Sequence, residues 1–260
     1  MSVQRSVVLL CSILVLAIVQ PASGQIVAYT EAPAWPSPAT SAAGTPASWN
    51  FGQVSGVATG ADGNILVLHR GAHPIMLFDS AGRFVRAWGD GLFSDGKVGG
   101  IAPADRVAGE SSYTAVYGPA GCHACGAHSV RVDPAGNIWV VDAPGHVVYK
   151  MDPQGRLLME LGAKGVAGMS RNTFNLPTDV AFGPGGEVYV SDGYGNARVH
   201  HFSAAGELVN SWGQPGDGPS EFNIPHGIGI DRKDRLYVAD RENSRIQIFS
   251  TAGDLLDEWT

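Results

Sequence analysis

Cysteine is scarce in this 260-residue chain, and so is positive charge. The three cysteines are Cys11, Cys122 and Cys125. Cys122-His123-Ala124-Cys125 is therefore the one Cys-x-x-Cys motif, with no second pair to complete a four-cysteine zinc site. Seventeen Lys and Arg stand against twenty-four Asp and Glu, a net charge of −7. That balance argues against nucleic acid or an anionic membrane surface as the main partner. Long apolar runs are missing too. The run from Val7 to Val19, broken only by Ser12, is too short for stable membrane insertion. No Asn-x-Ser/Thr acceptor for N-glycosylation occurs anywhere.

What the N-terminus does have is the form of a targeting segment. Arg5 supplies a positive start, the apolar run follows, and Ala22-Ser23-Gly24 offers small residues for cleavage before Gln25. Residues 1–24 are expected to be a signal peptide that delivers a secreted or periplasmic protein to an oxidising compartment. There a local disulfide between Cys122 and Cys125 is favoured over a metal site. Residues 25–50, rich in Ala, Pro, Ser and Thr, are expected to be an extended arm with no core-forming pattern.

Internal repetition decides the fold. Four stretches, at about 51–89, 126–162, 174–213 and 222–260, share one spacing. A first turn position (Gly63, Gly136, Gly186, Asp234) precedes an apolar run, and a second turn glycine (Gly82, Gly155, Gly206, Gly253) follows 19 or 20 residues later. Short β-branched and aromatic runs lie between the turns, so each stretch reads as four short strands. Four antiparallel strands per repeat make one blade of a β-propeller, and the class is all-β. Residues 51–260 form the propeller, with an insertion at 91–126 between blades one and two that is expected to serve as a lid or specificity loop. Ile26-Val27-Ala28-Tyr29 is expected to pair with a C-terminal blade that this sequence does not contain.

The repeat frame also sorts candidate functional residues. His128 and His226 both lie eight positions before the first turn, at the start of the innermost strand, where blades one and three carry Ser55 and Thr178. Histidines on alternate blades suit metal ligation around a central axis. The alternative is a polar residue satisfied by backbone at the channel mouth. Arg70, Tyr194 and Arg241 fall seven or eight positions after the first turn, in the loop between strands two and three, on the same face as the histidines. They are either site residues or rim decoration. Asp142, Asp192 and Asp240 recur one or two residues earlier in every blade but the first, which favours turn capping over catalysis. Trp88, Trp212 and Trp259 recur at blade ends and are expected in the core.

Several segments then carry a family likeness: Gln53–Ala58, His69-Arg70-Gly71, Phe174–Val180, Ser191–Asn196, Pro225-His226-Gly227 and Ala239–Asn243. Together they resemble the peptidyl-α-hydroxyglycine α-amidating lyases, which are propellers of NHL-type repeats. The resemblance covers residues 51–259 apart from the insertion and is stronger in blades three and four than in blade two. It implies a six-bladed ring with a zinc held by three histidines and a structural calcium on the axis. By that likeness His128 and His226 are zinc ligands, Tyr194 is the catalytic tyrosine, and Arg70 and Arg241 are active-site arginines. The backbone carbonyls of Val57 and Val130 match two calcium contacts. The third histidine, the aspartate after it and the last blades have no counterpart here, so the chain is expected to be C-terminally truncated. The implied reaction splits a peptidyl-α-hydroxyglycine into a peptide amide and glyoxylate, with Tyr194 as a phenolate general base. A non-catalytic propeller that binds peptide or protein is the alternative. So is another metal-dependent propeller enzyme such as a calcium-dependent lactonase, although no axial cluster of Asp, Asn and Glu is found.

Overall fold

Every regular element among the described residues is a β-strand. The structure, a computed structural model, describes residues 35–37, 51, 53–94, 126–170 and 172–260. The expected signal peptide, the Ile26–Tyr29 strand, most of the arm, the Cys122/Cys125 pair and residues 95–125 of the insertion lie outside them. No helix of the described residues is long and apolar enough to cross a membrane.

Blade one is β1 (Val54–Thr59), β2 (Ile65–His69), β3 (Ile75–Phe78) and β4 (Phe84–Trp88). Blade two is β5 (Ala127–Val132), β6 (Ile138–Asp142), β7 (Val147–Met151) and β8 (Leu157–Gly162). Blade three is β9 (Asp179–Phe182), β10 (Val188–Asp192), β11 (Arg198–Phe202) and β12 (Leu208–Trp212). A two-residue parallel pair, β13 (Gln214–Pro215) and β14 (Glu221–Phe222), follows. Blade four is β15 (Pro225–Ile230), β16 (Leu236–Asp240), β17 (Arg245–Phe249) and β18 (Leu255–Trp259). Each blade is a four-stranded antiparallel sheet in sequence order. The first strands β1, β5, β9 and β15 lie side by side in that order.

The turns form where the sequence places them. All eight turn positions have φ between +58° and +96°, the left-handed region. Seven are glycine, which pays no Cβ penalty there. Asp234 adopts φ +58° without that freedom, and its amide donates to Asp231 O at 3.1 Å. The Asp231 carboxylate accepts the amides of Lys233 and Arg235 and so holds the tight turn closed.

A blade covered by neighbours on both faces needs no polar face, and the second strands read accordingly. All of Ile138–Asp142 and all of Val188–Asp192 are buried. Three apolar clusters lie between successive blades, and a fourth, around Val67, Met76 and Phe78, lies within blade one. Leu66, Leu68 and Ile75 of blade one pack with Val140 and Tyr149 of blade two. Trp139 and Val148 pack with Val188 and Val190. Tyr189 and Val199 pack with Val238 and Phe249.

Two expectations change at the blade edges. Trp88 and Trp212 pack against these clusters as expected, but Trp259 on the outermost strand β18 is 52% exposed. The first two are covered because a turn of the next blade lies against each: a Cβ on Gly155 would sit 2.7 Å from Trp88 Nε1, and one on Gly253 would sit 2.9 Å from Trp212 Cδ2. Trp259 has no such turn against it among the described residues. The second change is Trp35. It lies in the arm, yet its ring packs 5.5 Å from that of Phe78 in blade one.

Candidate functional site

Three loop-and-strand junctions bring the site together. His128 is the second residue of β5, His226 is the second residue of β15, and Tyr194 stands just past the end of β10. The Tyr194 hydroxyl lies 3.0 Å from His128 Nε2 and 2.7 Å from His226 Nε2. The three rings meet edge-on, with centroids 5.1 to 5.3 Å apart. Residues 66 positions apart in sequence are thus in direct contact because the start of a first strand and the loop after a second strand lie at the same end of neighbouring blades.

Proton positions follow from the partners. His128 Nδ1 lies 2.6 Å from the carbonyl oxygen of Thr178, which can only accept, so Nδ1 carries the hydrogen. Burial first, then the nearby His226, hold the His128 imidazole down to about 3, partly offset by the Thr178 bond. His128 is therefore neutral and its Nε2 is a free lone pair. Tyr194 donates its O–H to that lone pair, and His226 Nε2–H then donates to the phenol oxygen. Burial also lowers His226, with Asp179 and Glu242 opposing.

The arginines flank this group. The Arg241 guanidinium stands 5.4 Å from the centroid of the Tyr194 ring, and its Nε donates to Glu242 at 2.8 Å. Arg70 donates from Nε to Ala127 O, next to His128, and from Nη1 to Gln53 Oε1. Its charge acts on both His128 and Tyr194. Even so, burial outweighs Arg70 and pushes the Tyr194 phenol up to about 12. With the arginines alone it is thus a protonated phenol, and the expected phenolate calls for the metal's charge as well.

A metal is tested against these residues by their chemistry. Two imidazole Nε2 atoms converge on one point, and the His128 Nδ1–H is spent on a carbonyl, the arrangement that readies a histidine for zinc. They fit. Val57 and Val130 occupy the same place on adjacent first strands, opposite Val67 and Val140 respectively. Their carbonyls are hard oxygen donors of the kind calcium takes. A Cβ on Gly56 would lie 3.1 Å from Val130 Cγ1, so glycine is what lets β1 and β5 approach.

The recurring aspartates sit at the base of the same loops and are all fully buried. Asp192 accepts the Asn175 amide at 2.8 Å and Asn196 Nδ2 at 2.6 Å, bracketing the Tyr194 loop. Asp240 accepts the Asn223 amide at 2.7 Å and Asn243 Nδ2 at 2.8 Å. Asp142 accepts Ser94 N at 2.7 Å and Gly145 N at 3.0 Å. These are loop anchors, as the recurrence suggested. Blade one fills the place with His69, whose Nδ1 accepts Gly71 N at 3.1 Å and whose Nε2 faces His73 O. Sequence reading passed over His69 as an anchor because it differs in type; only its register marks it. Thr178 was likewise seen only as a blade lacking histidine.

Comparison with known proteins agrees with this architecture. The NHL repeat model matches residues 174–202 and 222–249. The chain is 39% identical over 213 residues to the peptidylglycine alpha-amidating monooxygenase of Rattus norvegicus, covering 77% of this chain and 21% of that protein. It is 32% identical over 221 residues to a Caenorhabditis elegans protein named as a probable peptidyl-alpha-hydroxyglycine alpha-amidating lyase, covering 78% of this chain and 57% of that protein. The chain therefore spans from about a fifth to just over half the length of these relatives. Among solved structures it superposes on a streptogramin B lyase with a TM-score of 0.52 at 16% identity, covering 79% of this chain and 54% of the other.

Proposed function

Because the chain belongs to the NHL-repeat family of peptidyl-α-hydroxyglycine α-amidating lyases, we propose that it cleaves the C–N bond of an α-hydroxyglycine, releasing an amide and glyoxylate. The observation that carries this reading is the convergence of His128 Nε2 and His226 Nε2 on the Tyr194 hydroxyl. His128 and His226 would hold zinc through those nitrogens, and the carbonyls of Val57 and Val130 would hold a structural calcium. Bound zinc lowers the pKa of a hydroxyl at the site and adds positive charge there.

The chain's own residues do the rest. Tyr194 takes the α-hydroxyl proton as general base. Its phenol is raised by burial, so it becomes a base only with added positive charge beside it; Arg241 and Arg70 supply part of that charge. As the C–N bond breaks, the C–O bond becomes the aldehyde of glyoxylate and the proton ends on the departing amide nitrogen. Arg70, held by Ala127 O and Gln53, is placed to bind the glycine carboxylate bidentately.

The substrate is a small α-hydroxy amide or the end of a peptide. The test is glyoxylate release from N-benzoyl-α-hydroxyglycine by the zinc-loaded chain, with zinc binding measured separately by equilibrium dialysis. Glyoxylate release that is lost with His128→Ala supports the reading. Zinc-loaded protein that releases none overturns it.

A further inference from the structure

Thr178 stands in blade three at the register that His128 and His226 hold in blades two and four, and it has no imidazole to offer. Its two oxygens nonetheless reach both histidine strands. The carbonyl accepts from His128 Nδ1 at 2.6 Å. The hydroxyl lies 2.8 Å from the carbonyl oxygen of Pro225, the residue before His226. It also lies 2.8 Å from Ser191 Oγ, which receives the Asp179 amide at 3.1 Å.

The shortest contacts form one directional set of donors, with Ser191 O also 3.0 Å from Thr178 Oγ1 and Asp179 O 3.3 Å from Ser191 Oγ. Asp179 N–H donates to Ser191 Oγ, Ser191 O–H donates to Thr178 Oγ1, and Thr178 O–H donates to Pro225 O. Thr178 and Ser191 are fully buried, so water does not compete for these bonds. The Tyr194 loop closes on the same point. A Cβ on Gly193 would collide with the Pro225 carbonyl and lie 3.2 Å from Thr178 Cγ2. Glycine is what allows the catalytic tyrosine's neighbour to pass there.

We propose that Thr178 is the positioning residue of the site, setting the tautomer of His128 through its carbonyl and the place of His226 through its hydroxyl. The purpose of that positioning rests on the lyase reading; the positioning itself is a property of the metal-free chain. A ring N–H given to a carbonyl fixes which nitrogen keeps its lone pair and where it points. Without the hydroxyl, Pro225 O is left short of a donor in a dry place. The β9 and β15 strands then lose their side-chain tie at the level of both histidines.

The test compares Thr178→Val, which keeps the branched shape, with Thr178→Ser, which keeps the hydroxyl. In the zinc-free, ¹⁵N-histidine-labelled chain, His128 should show its proton on Nδ1. Thr178→Val keeps the carbonyl and should leave the His128 signal in place while the His226 signal shifts or broadens, and Thr178→Ser should restore the His226 signal. Zinc affinity, by competition with a chelator, should fall roughly 10- to 100-fold in Thr178→Val. If the unaltered chain binds no zinc, the lyase reading fails while the His128 and His226 signals still decide the role of Thr178. Should Thr178→Val not fold, Ser191→Ala, which removes the donor to Thr178 Oγ1 together with the acceptor of the Asp179 amide, must shift the His226 signal. An unaltered chain with the His128 proton on Nε2, or a folded variant with an unchanged His226 signal, overturns the proposal.

Discussion

Tyr194 Oη lies 2.7 Å from Nε2 of His226, whose N–H donates to the phenol oxygen. With His128 Nε2 at 3.0 Å on the other side, the phenol is at once a donor and an acceptor. Replacing it by Tyr194→Phe removes one oxygen from the point where both histidines meet and changes little else. The half-buried ring keeps its place, and the lost hydrogen bonds cost about 1 kcal/mol of stability. If Tyr194 is the proton acceptor, kcat for glyoxylate release should fall by roughly 10²- to 10⁴-fold with zinc binding retained. Steady-state kinetics beside metal analysis checks this, and a variant with unaltered kcat removes Tyr194 from the proton transfer.

Buried neutral histidines make the fold sensitive to mild acid. Burial lowers His69 and His146 below the ordinary imidazole value of 6.5; backbone bonds from Phe51 and His73 oppose this at His69, and Asp192 opposes it at His146. A histidine whose folded pKa is depressed binds its proton more readily when unfolded. Its contribution to stability is complete above 6.5 and is lost as pH falls below that value. His146 has φ +57°, and its Nδ1 accepts the Leu176 amide at 3.1 Å. Asparagine tolerates that backbone and offers an acceptor without titrating. Urea midpoints measured between pH 7.5 and 5 should therefore fall less steeply for His146→Asn than for the unaltered chain. Parallel slopes would show that His146 carries no share of the acid loss.

Much of this fold is legible in the sequence because its signals are local. Gly136 and Gly155 announce turns since few other residues accept φ near +85°. Ile138–Val141 announces a strand covered on both faces. The pairing of His128 with His226 is legible because repetition converts sequence position into place around the axis. The carbonyl of Thr178 is not legible, since every residue has a carbonyl and only the folded register shows which one faces Nδ1. Nor is the protonation of Tyr194, which depends on how deeply its hydroxyl is buried. His69 hides for a different reason: it does the anchoring work of an aspartate with different chemistry.

Trp35 does for blade one what the blade-end tryptophans do for the blades that follow them. Trp88 lies on the Gly155 turn while Arg86 Nη1 donates to Gln154 O at 2.7 Å. Trp212 lies on the Gly253 turn while Asn210 Nδ2 donates to Ala252 O at 2.9 Å. Against blade one, a Cβ on Gly82 would sit 2.6 Å from Trp35 Cδ1, and Ser37 Oγ donates to Ala81 O at 3.2 Å. In each case an indole covers a turn glycine, and a polar side chain two residues away binds the residue before that glycine. Trp35 is 36% exposed, so Trp35→Ala should cost about 1–3 kcal/mol rather than the full value for a core tryptophan. Gly82→Ala meets two penalties, the left-handed backbone at φ +78° and the clash with the indole. Once the indole is gone the backbone strain survives, with only a milder 3.2 Å approach to Ser37 N beside it. The double variant should therefore be more stable than the sum of the two single losses predicts, by roughly 1 kcal/mol or more in a urea-denaturation cycle. Simple additivity would mean that the arm does not rest on this turn in solution.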